Sequence, residues 1–279
     1  MPRTPAPADA PARISLMRRG FVWAADYLYA GRRQLAVASL PWSIGRPRPV
    51  PVAWSRGDTD LPEVVLLPGV YEHWTFLRPL GDALAAAGYR VEVVHGLGMN
   101  RRSVAGTAER LGEILAERPA PEAGRVLVAH SKGGLIGKHL LVSTGAAAAA
   151  AAEAASGGDP AEAAASAPPE GGGPPLGILG LVAVATPFGG ARLARLLFVD
   201  PSIRAFLPEN ETIVTLGRET SVNGRIVSIF GPYDPHILEG SALEGATNVA
   251  VTMPGHFRVL ASPVTHAAVI EGVARLTAE

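Results

Sequence analysis

From Val52 onward, short runs of consecutive apolar residues alternate with segments of helical periodicity. Val64–Leu67 is one such run, and a short, fully apolar run is typical of a strand that is buried on both faces of a parallel sheet. The alternation predicts an α/β fold with a mostly parallel, doubly wound sheet and right-handed crossovers. The predicted strands are Val64–Leu67, Tyr89–Val94, Arg125–Ala129, Ile178–Ala185, Arg225–Phe230 and Asn248–Thr252, and the predicted helices are Phe76–Ala87, Ser103–Ala116, Gly134–Ser143 and Val264–Leu276.

The chain divides into three parts by composition. Residues 1–14 are rich in Pro and Ala and are predicted to be disordered. Residues 15–50 are predicted to form an N-terminal helix followed by a Pro-rich spacer. Residues 51–279 form the main α/β domain, which contains a low-complexity insert at 145–175. We interpret this insert as a helical extension that passes into a flexible surface loop, because it offers no apolar face to bury.

Composition excludes several classes of function. The chain has no Cys, which rules out a disulfide framework, a zinc–thiolate site, an iron–sulfur cluster and a cysteine nucleophile. Its 25 basic residues are balanced by 25 acidic ones, so no basic field is present to attract nucleic acid. No His-Glu-x-x-His pattern, complete phosphate-binding loop or dinucleotide fingerprint occurs, so neither a metal nor a cofactor is expected.

The N-terminal helix leaves two interpretations open. The sequence has neither a run of about 18 uncharged apolar residues nor a clear secretory signal, and we expect a cytoplasmic protein. Two pairs of arginines, Arg18–Arg19 and Arg32–Arg33, flank an aromatic helical stretch. That arrangement fits either a helix packed on the main domain or a helix that contacts a membrane surface peripherally.

Ser131 lies where an apolar strand passes directly into a helix, within Ala129-His-Ser-Lys-Gly133. Small residues on both sides of a serine at such a junction are typical of a nucleophile elbow, a sharp turn that exposes the serine hydroxyl above the sheet. The following helix start offers free N–H groups and a dipole that favour an oxyanion. The pattern predicts Ser131 as a nucleophile rather than an ordinary helix cap.

A nucleophile of this kind needs donors for the oxyanion of a tetrahedral intermediate. The strand Val64–Leu67 ends in Pro68-Gly69, before the elbow in chain order. We expect the backbone N–H groups of Val70 and Lys132 to form the oxyanion hole.

With these two segments placed, residues from about Pro51 to Leu276 resemble the α/β-hydrolase family, and within it the bacterial lipase and esterase branch. Three further segments resemble landmarks of that family. Val182–Gly190 resembles the strand and Thr-Pro turn after the elbow helix. Ile229–Pro235 resembles the loop that bears the catalytic acid, and Met253–Leu260 resembles the Gly-His loop that bears the base.

The resemblance implies a triad of Ser131, Asp234 and His256, which occur in the family's chain order and each follow a predicted strand. His256 would deprotonate Ser131, and Asp234 would orient the imidazole. Two alternatives stay open: His266, within the last predicted helix, as the base, and Asp200 as the acid.

The predicted substrate pocket is apolar. Tyr71, Trp74 and Phe188 are near the oxyanion loop and the Thr-Pro turn and are expected to wall it. The segment 192–218 is apolar enough to line an acyl pocket, although a core helix would have the same pattern. We therefore expect a serine esterase or lipase acting on a lipophilic, neutral ester. The alternatives are an acyltransferase or thioesterase on the same fold and a non-catalytic binding protein.

Overall fold

Six strands form one sheet in the computed structural model, which describes residues 15–37, 49–97, 99–157, 176–197, 203 and 205–278. Their order across the sheet is β2-β1-β3-β4-β5-β6, and every neighbouring pair is parallel. The predicted doubly wound parallel sheet is confirmed. The strands are β1 (Glu63–Leu67), β2 (Val91–Val93), β3 (Arg125–His130), β4 (Ile178–Val184), β5 (Ile226–Phe230) and β6 (Thr247–Ala250).

Six α-helices accompany the sheet in the described residues: α1 (Leu16–Val37), α2 (Arg78–Ala86), α3 (Val104–Ala116), α4 (Lys132–Gly157), α5 (Glu211–Arg218) and α6 (Pro263–Ala278). The predicted extension of the elbow helix into the alanine run is present, since α4 continues to Gly157. The rest of the predicted insert, residues 158–175, lies outside the described residues, as do the N-terminal residues 1–14 and residues 38–48 of the spacer.

The two faces of the sheet bury different helices. Along β1, Val65 and Leu67 belong to the apolar core that also contains side chains of α3, α4 and α5, while Val64 and Leu66 belong to the core shared with α2 and α6. This alternation follows from the strand geometry, in which successive side chains point to opposite faces. Since both faces are covered, every residue of β1 is buried, which explains the uninterrupted apolar run Val64–Leu67.

The strand order places the topological switch between β1 and β3. The chain leaves β1 for β2 on one side and returns to β3 on the other, so the loops after β1 and β3 diverge and leave a crevice at their carboxyl ends. That crevice brings the segment after Leu67 next to Ser131.

Helix α1 packs through one face only, at the end of the molecule that contains this crevice. Val22 and Asp26 are buried, and the helix contacts the 3-10 turn Arg258–Ala261. Its other face remains exposed, with large apolar side chains at Leu16, Met17, Phe21, Trp23, Tyr27, Leu28 and Leu35.

Candidate active site

Ser131 occupies the sharp turn between β3 and α4. Its φ of 51° is a left-handed conformation that is uncommon for a residue other than glycine. The Ser131 N–H donates to the Val184 carbonyl oxygen at 3.0 Å, and Thr186 Oγ1 donates to the Ser131 carbonyl oxygen at 3.0 Å. The surrounding strands therefore hold a strained turn in place, as expected of a nucleophile elbow.

Two glycines allow α4 to start this close to the sheet. A Cβ atom at Gly133 would lie 2.3 Å from the carbonyl oxygen of Leu67, and one at Gly134 would lie 2.0 Å from Thr186 Oγ1. Any larger side chain would push the helix start away from the strands. The glycines thus set the position of Ser131 relative to the loop after β1.

His256 and Asp234 form a buried hydrogen-bonded pair after β6 and β5. Nδ1 of His256 lies 2.7 Å from Asp234 Oδ2. The other carboxylate oxygen, Oδ1, accepts the backbone N–H groups of His236 at 2.7 Å and Ile237 at 3.1 Å. Because Nδ1 faces the carboxylate, the proton of a neutral imidazole is held there, and Nε2 is left as the basic nitrogen.

The surroundings of His256 and Asp234 favour the imidazolium form of the histidine and the carboxylate form of the aspartate. Burial opposes a charge on His256, but the Asp234 carboxylate outweighs it, with smaller contributions from Glu72 and Asp26, so the pKa of His256 is raised above its ordinary value. Burial likewise opposes the charge of Asp234, yet His256 and the His236 N–H lower the pKa of that carboxyl. Imidazolium beside carboxylate is the state a serine hydrolase forms when its histidine takes up a proton.

A cavity of about 500 Å³ is lined by Ser131, His256 and Val70 together. Its wall is largely apolar, with side chains that include Trp23, Leu193, Ala194, Ile203, Phe206 and Phe257. Four of these six belong to the segment 192–218. Within the described residues the Ser131 hydroxyl has no hydrogen-bond partner. Ser131 and His256 therefore line the same cavity without a direct hydrogen bond between them. Catalytic hydrogen bonds often tighten only when substrate binds.

Of the two expected oxyanion donors, Val70 lines this cavity and Lys132 directly follows Ser131 in the chain. Lys132 is the first residue of α4, so its N–H has no acceptor within the helix. The Val70 N–H donates to no acceptor in the part of the chain that the structure describes. Both donors are therefore available to a negatively charged oxygen beside Ser131.

A second loop supports the segment after β1. The Asn100 amide donates to the Pro68 carbonyl oxygen at 2.7 Å, and the Tyr71 N–H donates to the Met99 carbonyl oxygen at 2.8 Å. The buried Lys132 ammonium donates in turn to the Asn100 carbonyl oxygen at 2.8 Å, and burial lowers the pKa of Lys132 to about 8. Lys132 thereby ties the start of α4 to the loop that fixes Val70.

His130 links the elbow to both neighbouring loops. Its Nδ1 lies 2.8 Å from Glu72 Oε1, its Nε2 lies 2.9 Å from the His256 carbonyl oxygen, and Glu72 Oε2 accepts the Gly69 N–H at 2.7 Å. These contacts require two protons on the His130 and Glu72 side chains. Either both ring nitrogens of His130 are protonated, or Nε2 of His130 and the Glu72 carboxyl carry one proton each. In either arrangement the His130–Glu72 pair has no net charge, although Glu72 lines the cavity.

The structure corrects part of the predicted pocket. Of the three expected wall residues, Tyr71 lines the cavity. Trp74 and Phe188 do not line it; each is buried in an apolar core cluster, and the Trp74 ring lies 5.6 Å from the ring of Trp54. Both follow strand ends, and that position alone does not bring a side chain into the cavity.

The structure describes one of the two alternative triad candidates, His266. His266 lies in α6, where its Nε2 is 2.8 Å from the Leu260 carbonyl oxygen, and it does not line the cavity. Asp200 lies outside the described residues.

Sequence reasoning missed Asp26, Glu72 and Asn100, which are all buried around the site. Their contacts reach residues far away in the chain, so no local pattern identifies them. For Asp26 one signal exists, because an acidic residue in an otherwise apolar, aromatic helical segment is a candidate for a specific buried role.

Two features are absent from the described residues. No group of three His, Asp or Glu side chains is arranged to hold a metal ion there. Nor is any helix in that part of the chain long and apolar enough to cross a membrane.

Comparison with known proteins gives structural matches only. No protein-family model matches the sequence, and no curated protein matches it significantly. A lipase B from Aspergillus fumigatus superposes with a TM-score of 0.53 at 15% identity, covering 81% of this chain. The metagenomic carboxyl esterase MGS0156 superposes with a TM-score of 0.50 at 18% identity, covering 84% of this chain. The chain has the α/β-hydrolase fold.

The assignment to the α/β-hydrolase fold describes the architecture of the chain and does not identify its reaction. The chain spans 55% of the length of the lipase and 79% of the length of the esterase. At this identity the α/β-hydrolase fold is what the three molecules share, and the chemistry of this chain has to be argued from its own residues.

Proposed function

We propose that the protein is a serine hydrolase that cleaves lipophilic, neutral carboxylic esters through an acyl-enzyme on Ser131. One observation carries the proposal. A serine on a strained strand-to-helix turn lines the same apolar cavity as His256, a histidine whose Nδ1 is hydrogen-bonded to Asp234. The two structural neighbours compared above are a lipase and a carboxyl esterase by name, and their chemistry agrees with this proposal.

In the proposed reaction, Ser131 Oγ attacks the ester carbonyl carbon while His256 Nε2 accepts the hydroxyl proton. Asp234 stabilises the imidazolium, and the N–H groups of Val70 and Lys132 bind the oxyanion. The intermediate collapses as the C–O bond breaks and His256 returns the proton to the leaving alcohol. Water then attacks the acyl-enzyme with His256 as the base, which releases the acid and restores Ser131.

The cavity wall supports the substrate class. In the described residues its lining is mainly apolar, and the one carboxylate among them, Glu72, is hydrogen-bonded to His130. A charged acyl group would lose its hydration there without gaining an opposite charge. An alkyl chain gains from burial, at about 0.8 kcal/mol per CH₂ group.

A chain-length series of nitrophenyl esters tests this proposal. We expect kcat/KM to rise about fourfold per added CH₂ group while the chain still fits the cavity. Ser131→Ala should abolish turnover and leave the melting temperature nearly unchanged, because a turn hydroxyl contributes little to stability. An ester substrate that Ser131→Ala hydrolyses at the wild-type rate would remove Ser131 from the mechanism.

We further propose that α1 lies on an anionic membrane surface. Seven large apolar side chains are exposed along one side of α1, and the exposed arginines at 18, 19 and 32 flank them. The single acid of the helix, Asp26, is buried on the opposite side. An apolar face with basic borders suits the boundary between acyl chains and anionic headgroups. Two residues of this face, Trp23 and Tyr27, also line the cavity.

Vesicle sedimentation tests the membrane proposal. We expect binding to vesicles that contain phosphatidylglycerol, weaker binding to pure phosphatidylcholine, and a loss of binding in the double variant Phe21→Ser, Leu28→Ser. Val264→Ser is the matched control, since it removes an exposed apolar side chain from α6. Equal binding by the double variant and the control would contradict the proposal.

A further inference from the structure

Asp26 is fully buried, although most large side chains of its helix are exposed. Its Oδ2 accepts the backbone N–H of His256 at 3.0 Å, and its Oδ1 accepts those of Phe257 and Arg258 at 2.9 Å each. In the part of the chain that the structure describes, no cationic side chain forms an ion pair with Asp26. Three successive N–H groups of the histidine loop therefore supply the hydrogen bonds that a buried carboxylate requires.

The histidine loop lacks a local group that could take the place of Asp26. A 3-10 turn begins at Arg258, and the residue that precedes it, Phe257, has no side chain that can accept the free N–H groups at its start. Asp26 provides this cap from 230 residues away in the chain. Gly255 has a φ of 116°, and a Cβ atom there would lie 2.6 Å from Asp26 Oδ1, so the loop is closely fitted to the carboxylate.

We infer that Asp26 is a positioning residue of the active site, which holds the loop that presents His256 to Ser131 and makes α1 a required part of the catalytic unit. The effect on catalysis rests on the proposed function, whereas the effect on the loop can be measured without any substrate. Asp26 also acts on His256 electrostatically. Among the described residues, the ionisable side chains around the imidazole are Asp26 from α1, Glu72 after β1, His130 at the end of β3, and Asp234 and His236 after β5.

The first test replaces the carboxylate by an amide of the same shape. In Asp26→Asn an NH₂ group faces a backbone N–H, so at least one of the three hydrogen bonds is lost. We expect kcat for nitrophenyl esters to fall about 10- to 100-fold with little change in KM, because the cavity wall stays intact while His256 is displaced. The control is Asp82→Asn, which neutralises a carboxylate of α2 that accepts the Trp54 indole N–H at 2.9 Å.

The second test is independent of activity. We would titrate the His256 imidazole by NMR and follow amide hydrogen exchange at residues 256–258 in the wild type and both Asn variants. We expect Asp26→Asn to lower the pKa of His256 and to speed exchange of these amides, and Asp82→Asn to change neither. If Asp26→Asn does not fold, Gly255→Ala probes the same contact from the loop and should give the same direction of change.

The outcomes separate the two proposals. A folded Asp26→Asn variant with wild-type His256 titration and wild-type amide exchange would overturn the positioning role. If the wild type hydrolyses none of the esters, the proposed function fails, and the NMR measurements still decide the role of Asp26.

Discussion

Ser131 is held at the cavity by its sequence neighbours and by the strands beside β3, whereas His256 is held by a carboxylate that lies 230 residues away on α1. The strain of the elbow is contained by β4 and by the close approach of Gly133 and Gly134. The histidine loop has one such contact with the sheet, from His130 Nε2 to the His256 carbonyl oxygen at 2.9 Å, and its other anchors lie outside the sheet. Its N–H groups are satisfied by Asp26, and its imidazole is oriented by Asp234.

The elbow with Ser131 and the loop with His256 therefore differ in which contacts they need to keep their geometry. The elbow is built into the core of the sheet, where β3 is buried along its whole length. Its geometry should persist as long as the sheet is folded. The histidine loop depends on a helix outside the sheet, and we expect it to be displaced by changes that leave the elbow intact.

The largest expected effect distinguishes His256 from His266 as the catalytic base. His256→Ala should reduce kcat about as severely as Ser131→Ala, by several orders of magnitude, because nucleophile and base act as one unit. His266→Ala should change kcat by less than about tenfold, since the His266 imidazole is hydrogen-bonded to the Leu260 carbonyl oxygen in the 3-10 turn before α6 and does not line the cavity. Steady-state ester kinetics checks both, and the reverse order of effects would identify His266 as the base.

A smaller effect is expected from crowding the elbow. In Gly134→Ala the new methyl group would lie 2.0 Å from Thr186 Oγ1, so we expect a loss of stability of about 1–3 kcal/mol together with a lower kcat. Gly145→Ala, in the same helix with no atom within 4 Å, should instead stabilise the protein by about 0.5–1 kcal/mol. Urea denaturation measures both variants. Similar stabilities would show that the close approach does not constrain the elbow.

The smallest effect is the position of the pH profile. His256 must be neutral to act as a base, so activity should rise with pH as its imidazolium loses a proton. Because Asp234 raises the pKa of His256, the midpoint of this rise should lie above the ordinary histidine value of about 6.5. A midpoint below that value in the pH dependence of kcat/KM would mean that burial outweighs the carboxylate.

Sequence patterns predicted the parts of the molecule that depend on local order. The parallel sheet follows from apolar runs such as Val64–Leu67, and the elbow follows from small residues around a serine between strand and helix. The wall residues Trp74 and Phe188 could not be placed correctly, because a strand-end position does not tell whether a side chain turns to the core or to the cavity. Asp26 could not be assigned to His256, because tertiary packing alone brings them together.

We propose that Ser131 is an activated nucleophile whose hydroxyl proton is accepted by His256 in the cavity that both residues line. The most direct measurement is the rate of labelling by a fluorophosphonate, with mass spectrometry to locate the adduct, in the wild type and in His256→Ala. We predict a single adduct on Ser131 that forms rapidly in the wild type and at least about a hundredfold more slowly in His256→Ala. No adduct, an adduct on another residue, or an unchanged rate in His256→Ala would contradict the claim.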